Sequence, residues 1–249
     1  MDDRGVKMAE TAQGRDEMAE RLAEVRRRIE TAALRSDRAP EDVTLIAVSK
    51  THPARVVRHA IEAGAKDLGE NRVQEADEKI GELGREGGAR WHLIGHLQAN
   101  KARRAVKLFD LIHSVDSVSL ARRLDRLCEE AGRESLPVLV QVDLAGEATK
   151  SGIGEASLPE LIAAIKACER LRLVGLMTLP PFFEDAELAR PFFRRLRELR
   201  DRHRDAGDFG AARGELSMGM SNDYEVAIEE GATMVRVGTA IFGERHAAH

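Results

Sequence analysis

The stretch TLIAVSKTHPARVVRHAIEAG, residues 44–64, contains the unit from which most of the chain is built. Its first half is an apolar, β-branched run that stops abruptly at Lys50. Its second half opens with Pro53 and closes with Gly64, the residues that favour a helix start and a helix stop. A strand followed by a helix is therefore expected here. The same alternation continues. KDLGE, RWHLIG, LIHSVDS, PVLVQVDL, LRLVGLMTL, GELSMGM and ATMVRVGTAIFG read as further strands. Between them lie helical stretches such as NRVQEADEKIGEL, with Asn71 as its cap, VSLARRLDRLCEEAG and LPELIAAIKACERL. The strands are short and apolar without strict alternation, which is the pattern of parallel strands covered on both faces. Roughly eight such units in this length predict an α/β fold, a single (β/α)8 TIM barrel. A doubly wound open sheet is the rival, but no G-x-G-x-x-G turn follows the first strand.

Working outward, Met18, Leu22, Val25 and Ile29 recur at helical spacing and predict an extra N-terminal helix over residues 15–35. Residues 1–14 are polar and are expected to form a disordered tail, leaving 15–249 as one barrel domain. The chain has 39 basic and 43 acidic residues, a formal charge of −4. This balance argues against nucleic acid or a membrane surface as the main partner. Neither a membrane-length apolar run nor a signal-peptide core is present, and the two cysteines, Cys128 and Cys168, suit a reducing cytoplasm. A cytoplasmic location is the expectation.

Barrel enzymes and binders keep their sites at the C-terminal ends of the strands. The residues expected there are Lys50, Glu70, Asn71, His96, Asp116, Asp143, Lys150, Ser221, Arg236, Gly238 and Thr239. Ser221 follows the seventh strand and can cap the next helix, where free N–H groups attract anions. Gly238 and Thr239 follow the last strand, where barrel phosphate sites form, and a glycine lets backbone approach a phosphate closely. Lys50 can be a solvated strand end or an amine held at a pocket mouth; burial favours the neutral amine, which attacks carbonyl carbon. A lysine opposite a phosphate site raises pyridoxal phosphate as a ligand, since that cofactor carries both a phosphate and an aldehyde. Arg236 could then face the pyridine nitrogen, its ordinary alternative being an ion pair across the barrel mouth. His92 and His96 have a metal-like spacing, but Gly95 intervenes and no acidic third ligand is near, so no metal is expected.

The blocks AVSKTHP, LGENRVQEA, WHLIGHLQANK, HSVDS, KSGI, GLMTL and LSMGMSNDYEVAIEEGATMVRVGTAIFG occur in this order. In these blocks the chain resembles the YggS/PROSC family of pyridoxal-phosphate homeostasis proteins, which is similar in fold to the N-terminal barrel of alanine racemase. The resemblance covers nearly the whole chain from about residue 15. It implies pyridoxal 5'-phosphate held as a covalent aldimine on Lys50. Ser221, Gly238 and Thr239 would hold the phosphate, Arg236 would face the ring nitrogen, and Asn71 would face the cofactor. Transient encounters with pyridoxal-phosphate-dependent apoenzymes follow from the same resemblance, and Lys150 is a candidate second acceptor of the aldehyde.

A racemase needs a proton-transfer group on each face of its substrate. The racemases take the second one, a tyrosine, from a further domain. This chain holds one tyrosine, Tyr224, and it carries Leu179 where racemases have a histidine. A non-catalytic cofactor carrier is therefore the favoured reading. An amino-acid racemase and a cofactor-free Schiff-base aldolase are the alternatives.

Overall fold

The computed structural model describes residues 3–85, 88–146 and 151–243, with side chains described from residue 14 onward. Nine strands form in chain order: β1 Thr44–Val48, β2 Asp67–Glu70, β3 Arg90–Leu93, β4 Leu111–Val115, β5 Leu136–Asp143, β6 Ile153–Gly154, β7 Leu171–Met177, β8 Glu215–Met220 and β9 Met234–Val237. Eight of them run β4-β3-β2-β1-β9-β8-β7-β5, and β4 pairs with β5 to close the ring. Every pairing is parallel. The protein is thus a closed eight-stranded parallel barrel, as the βα alternation predicts. The two-residue β6 lies beside β5 outside the ring.

The helices that alternate with the strands are α2 Ala54–Glu62, α3 Val73–Leu83, α4 Ala102–Leu108, α5 Val118–Glu130, α6 Leu158–Lys166, α7 Arg190–Asp205 and α8 Tyr224–Glu229. Their apolar faces meet the outward residues of the strands, among them Ala47, Leu68, Trp91, Ile112, Val138 and Leu216, in one continuous core. Ser117 caps α5 by accepting the Leu120 N–H. The long α1, Asp3–Arg35, lies against α2, α8 and the one-turn α9, Thr239–Phe242. Met18, Leu22, Val25 and Ile29 are all buried, so the predicted stripe is the face that docks. The backbone of α1 is helical from Asp3, within the stretch expected to be a tail.

Three local expectations differ from the structure. The last strand stops at Val237, and Thr239–Phe242 forms a one-turn helix, α9, where TAIF was expected to continue the strand. The break falls at Gly238, whose backbone sits against β1: a methyl there would press on the Val48 carbonyl oxygen at 3.2 Å. Asn71 does not cap α3; Arg72 stands at that position and supplies no side-chain cap. Ser221 does not cap α8 either, because that helix begins at Tyr224. Both residues are instead drawn into loops above the barrel.

The inside of the barrel is partly polar. A small apolar cluster of Leu111, Leu139, Val174 and Met177 separates from the main core. Beside it, Asp67, His92, His113, Gln141, Ser217 and Arg236 are all buried. Polar side chains are costly to bury unless they are hydrogen-bonded; Gln141 donates to the Ser151 carbonyl at 2.6 Å, and the other five are linked as described below.

Candidate cofactor-binding site

A cavity of about 690 Å³ opens at the C-terminal ends of the strands. Lys50, Asn71, Ser221, Arg236, Gly238 and Thr239 all line it. Six residues chosen from positions 50 to 239 of the chain therefore meet in one place. His52, His96, Leu179 and Asp223 share the wall.

Lys50 is half-buried, directly after β1. The backbone on either side of it is pinned. The Ser49 N–H donates to the Gly69 carbonyl at 3.0 Å, extending the β1–β2 ladder by one bond. The Ser49 carbonyl accepts from Lys79 Nζ at 2.7 Å and from the His52 N–H at 3.1 Å. Thr51 then adopts φ 66°, a left-handed conformation uncommon for a β-branched residue, and its N–H donates to Glu75 Oε2 at 2.9 Å. Such a conformation costs about 1–3 kcal/mol and persists only where the surroundings enforce it. Here it turns the chain sharply after Lys50. The amine itself makes no hydrogen bond or ion pair to any described residue.

Glu70, expected at the site, lies beneath it. Its Oε1 accepts from Lys79 Nζ at 2.6 Å and from Ser49 Oγ at 2.6 Å. Burial raises its pKa, and the Lys79 ammonium and the two hydrogen bonds partly offset the rise. Glu70 is thus a support for the Lys50 turn and not part of the cavity wall. Asp116 pairs with His96, Nδ1 to Oδ2 3.3 Å, in a groove beside the cavity. Asp143 accepts the N–H groups of Ala145 and Gly146 and so shapes its own loop. Lys150 lies outside the described residues. His92 and His96 part company: His92 is buried inside the barrel and His96 is half-exposed at the rim. Among the described residues no group of three His, Cys, Asp or Glu side chains is placed to hold a metal.

Next to Lys50, on the β9 side of β1, the cavity is built from the loops after β8 and β9. Ser221 Oγ accepts the Gly238 N–H at 3.2 Å, tying those loops together. The one-turn α9 starts immediately afterwards at Thr239. Asn71 is held by backbone packing: a methyl on Gly95 would run into the Asn71 carbonyl, so only glycine permits this approach of the β2 and β3 ends. Arg236 is buried, and burial pulls its pKa down to about 10 while the Asp223 carboxylate opposes the shift. It keeps its charge at neutral pH. Its NH1 donates to Ser217 Oγ at 2.6 Å and its NH2 to the Thr178 carbonyl at 2.9 Å. Asp223 itself accepts the Met220 N–H at 2.6 Å, and its pKa is raised by burial. Sequence reasoning missed Asp223 and His52. Both sit one or two residues from a predicted site residue, in turns whose direction the strand pattern does not specify.

The donor set fits one ligand chemistry. A hydroxyl and the start of a helical turn suit a phosphate, an unpaired lysine suits an aldehyde, and a buried guanidinium suits a ring acceptor atom. The family model described as the alanine racemase N-terminal domain matches residues 21–246. The pyridoxal phosphate homeostasis protein of Aquifex aeolicus is 43% identical over 228 residues, covering 91% of this chain and 97% of that protein. Its counterpart in Escherichia coli K12 is 43% identical over 236 residues, covering 92% and 97%. The chain belongs to the pyridoxal phosphate homeostasis protein family. Among solved structures, PipY of Synechococcus elongatus, with PLP bound, superposes with a TM-score of 0.77 at 42% identity, covering 91% of this chain and all of PipY. An alanine racemase of Clostridium difficile reaches a TM-score of 0.68 at 19% identity and shares the fold. The chain covers 60% of that racemase, against nearly the full length of its homeostasis relatives.

Tyr224 is buried at the start of α8 and is not among the residues that line the cavity. Arg28 of α1 lies over its ring, 5.4 Å from the centroid, and the hydroxyl is buried without a hydrogen-bond partner among the described residues. Tyr224→Phe is therefore expected to leave cofactor binding unchanged. It should raise the unfolding free energy by up to about 1 kcal/mol, because an unpaired buried hydroxyl is removed. Denaturant unfolding beside a cofactor titration checks both.

Proposed function

We propose that the protein binds pyridoxal 5'-phosphate as a Schiff base on Lys50 and serves to hold and deliver the cofactor to apoenzymes without turning over a substrate of its own. The observation that carries this reading is the convergence of Lys50, the Ser221–Gly238–Thr239 loops and Arg236 on one cavity. PipY, a family member solved with PLP bound, supports it.

When bound, pyridoxal phosphate supplies an electrophilic aldehyde carbon and an electron-withdrawing ring. Lys50 would supply the amine that bonds to that carbon. Ser221, Thr239 and the Gly238 backbone would hold the phosphate. Asn71 bounds the cavity at the β2 end. Arg236 would donate to the ring nitrogen and offers no acceptor for an N–H there, which would disfavour protonation of that nitrogen. The arginine thus keeps the site a weak electron sink, which suits storage better than carbanion chemistry. Tyr224, the chain's one tyrosine, faces α1 and not the cavity, which removes it as a proton donor for a second face.

Borohydride reduction of the protein after incubation with pyridoxal phosphate, followed by peptide mapping, tests the covalent part. The label is expected on Lys50; a label confined to other lysines sinks the assignment. Incubation with L-alanine and chiral analysis of the product tests the carrier part. Steady racemisation would promote the racemase reading, and a protein that gains no near-visible absorbance would promote the aldolase.

A further inference from the structure

Five buried polar residues run through the inside of the barrel as an unbroken series. Arg236 NH1 lies 2.6 Å from Ser217 Oγ, and Ser217 Oγ lies 2.9 Å from His113 Nδ1. His113 Nε2 lies 2.9 Å from His92 Nδ1, and His92 Nε2 lies 2.8 Å from Asp67 Oδ1. Arg236, Ser217, His113, His92 and Asp67 are all at most 4% exposed. The series crosses from β9 through β8, β4 and β3 to the first residue of β2. There, at the end of the barrel remote from the cofactor cavity, Asp67 meets Arg90, with Nε 2.7 Å from Oδ1. Asp67 and Arg90 line a separate groove under α1.

The hydrogens along this series can be counted. Arg236 can only donate, and the ionised Asp67 can only accept. One arrangement satisfies every atom with both imidazoles neutral. Arg236 donates to Ser217, the Ser217 hydroxyl donates to His113 Nδ1, His113 Nε2–H donates to His92 Nδ1, and His92 Nε2–H donates to Asp67. Reversing the central bonds gives His113 Nδ1–H donating to Ser217 and His92 Nδ1–H donating to His113. His92 must then carry a second proton to reach Asp67, and the Ser217 hydrogen must leave the series for another acceptor. Burial, with the Arg236 guanidinium nearby, holds His113 well below the usual imidazole range, so this ring is neutral. Burial pushes Asp67 up, but the hydrogen bonds from His92 and Arg90 outweigh it and keep its pKa low, so the series ends on a true anion.

We propose that Ser217, His113 and His92 form a one-way hydrogen-bond chain that joins the Arg236 guanidinium to the Asp67 carboxylate and fixes the arginine's aim into the cofactor cavity. The proposal rests on the reading above that Arg236 faces the bound ring. The three residues are positioning residues, acting through Arg236. Their dipoles align head to tail from cation to anion, the arrangement in which each bond strengthens the next. The chain offers one physical reason for a polar barrel interior, where apolar side chains would otherwise pack at less risk. It also makes Asp67 at the closed end of the barrel felt at the open end.

Nitrogen-15 NMR of the histidine rings in the full-length, cofactor-free protein tests the direction of the chain. His92 and His113 are each expected as the Nε2–H tautomer with a bare Nδ1 at neutral pH. An Nδ1–H on His113, or a doubly protonated His92, overturns the proposal whatever the protein binds. Pyridoxal phosphate titration, read by near-visible absorbance, tests the coupling. Asp67→Asn is expected to weaken binding about five- to tenfold in the otherwise native protein and to have no further effect on Ser217→Ala, where the chain is already cut. Equal effects in both backgrounds overturn the coupling. Should Asp67→Asn fail to fold, the tautomers of the native protein still decide the direction. A native protein that binds no pyridoxal phosphate would remove the cofactor reading and leave the tautomer result standing by itself.

Discussion

Lys50→Ala is expected to lose the near-visible absorbance that pyridoxal phosphate gives the native protein, and to bind the cofactor on the order of 100-fold more weakly, about 2.7 kcal/mol. The affinity that remains comes from the Ser221, Gly238 and Thr239 loops and from Arg236, which the substitution leaves in place. Stability should barely change. Lys50 is half-buried and no described residue bonds its amine, so truncation breaks no pair and leaves no orphan. Substitutions of this kind stay within about 0.5 kcal/mol. The discriminating result is the combination of lost colour with an unchanged denaturation midpoint. Retained colour would place the covalent bond on another lysine, and joint loss of colour and stability would make Lys50 a structural residue.

Lys79→Met should have the largest effect on folding. Lys79 of α3 is buried and joins Glu70 Oε1 and the Ser49 carbonyl beneath the Lys50 turn. Removing it strands a buried carboxylate whose Oε2 already has no partner among the described residues. Breaking one side of a buried ion pair costs about 3–5 kcal/mol. The sign of the pH dependence follows from Glu70. Its pKa is raised by burial in the fold, so its contribution is most favourable at low pH and is lost as pH rises through the folded value. Without Lys79 that rise is larger, so the deficit of Lys79→Met should shrink on acidification from pH 7 to about pH 5. The double variant with Glu70→Leu should recover much of the loss, because two apolar groups replace the pair. Urea unfolding at the two pH values measures both. A deficit that is constant with pH would show that Lys79 acts through packing of its stem. Since Ser49 adjoins Lys50, the single variant is also expected to weaken cofactor binding, whereas Glu70→Leu with Lys79→Met tests whether the turn survives without the charges.

The barrel was legible in the sequence because its signal is redundant. Each short apolar run such as TLIAV is followed by a helix with its own start and stop, as Pro53 and Gly64 mark for α2. That the six candidate residues would meet was legible for a related reason. They follow strand ends, and a closed parallel barrel brings all its strand ends to one rim. Lys50 and Arg236 are almost two hundred residues apart in sequence, yet both line the same cavity. The family blocks added which ligand to expect there, and the relatives agree with that expectation.

Roles within the loops were less legible. Ser221 looked like a helix cap because serine before a helical pattern usually is one. Its hydroxyl instead accepts from Gly238 across two loops, a bond that needs the β8 and β9 ends side by side. TAIF looked like strand because it is apolar and carries a β-branched isoleucine, a composition that does not separate a strand from one buried helical turn. The close packing of Gly238 on Val48 decides it.

The sequence by itself determined the architecture and the rim at which the six candidate residues meet. Those properties depend on periodicity and on chain order, which are local or topological. Only the tertiary structure decided what fills the barrel. His92, His113 and Ser217 each look like a lone polar residue in an apolar strand. They become one series between Arg236 and Asp67 when closure of the ring turns all five inward at bonding distance. Glu70 likewise read as a site residue at a strand end until β1, β2 and α3 bury it with Lys79 under Ser49. The physical reason is the same in both cases. Whether a polar group is costly or stabilising depends on its partner, and the partner stands on another element.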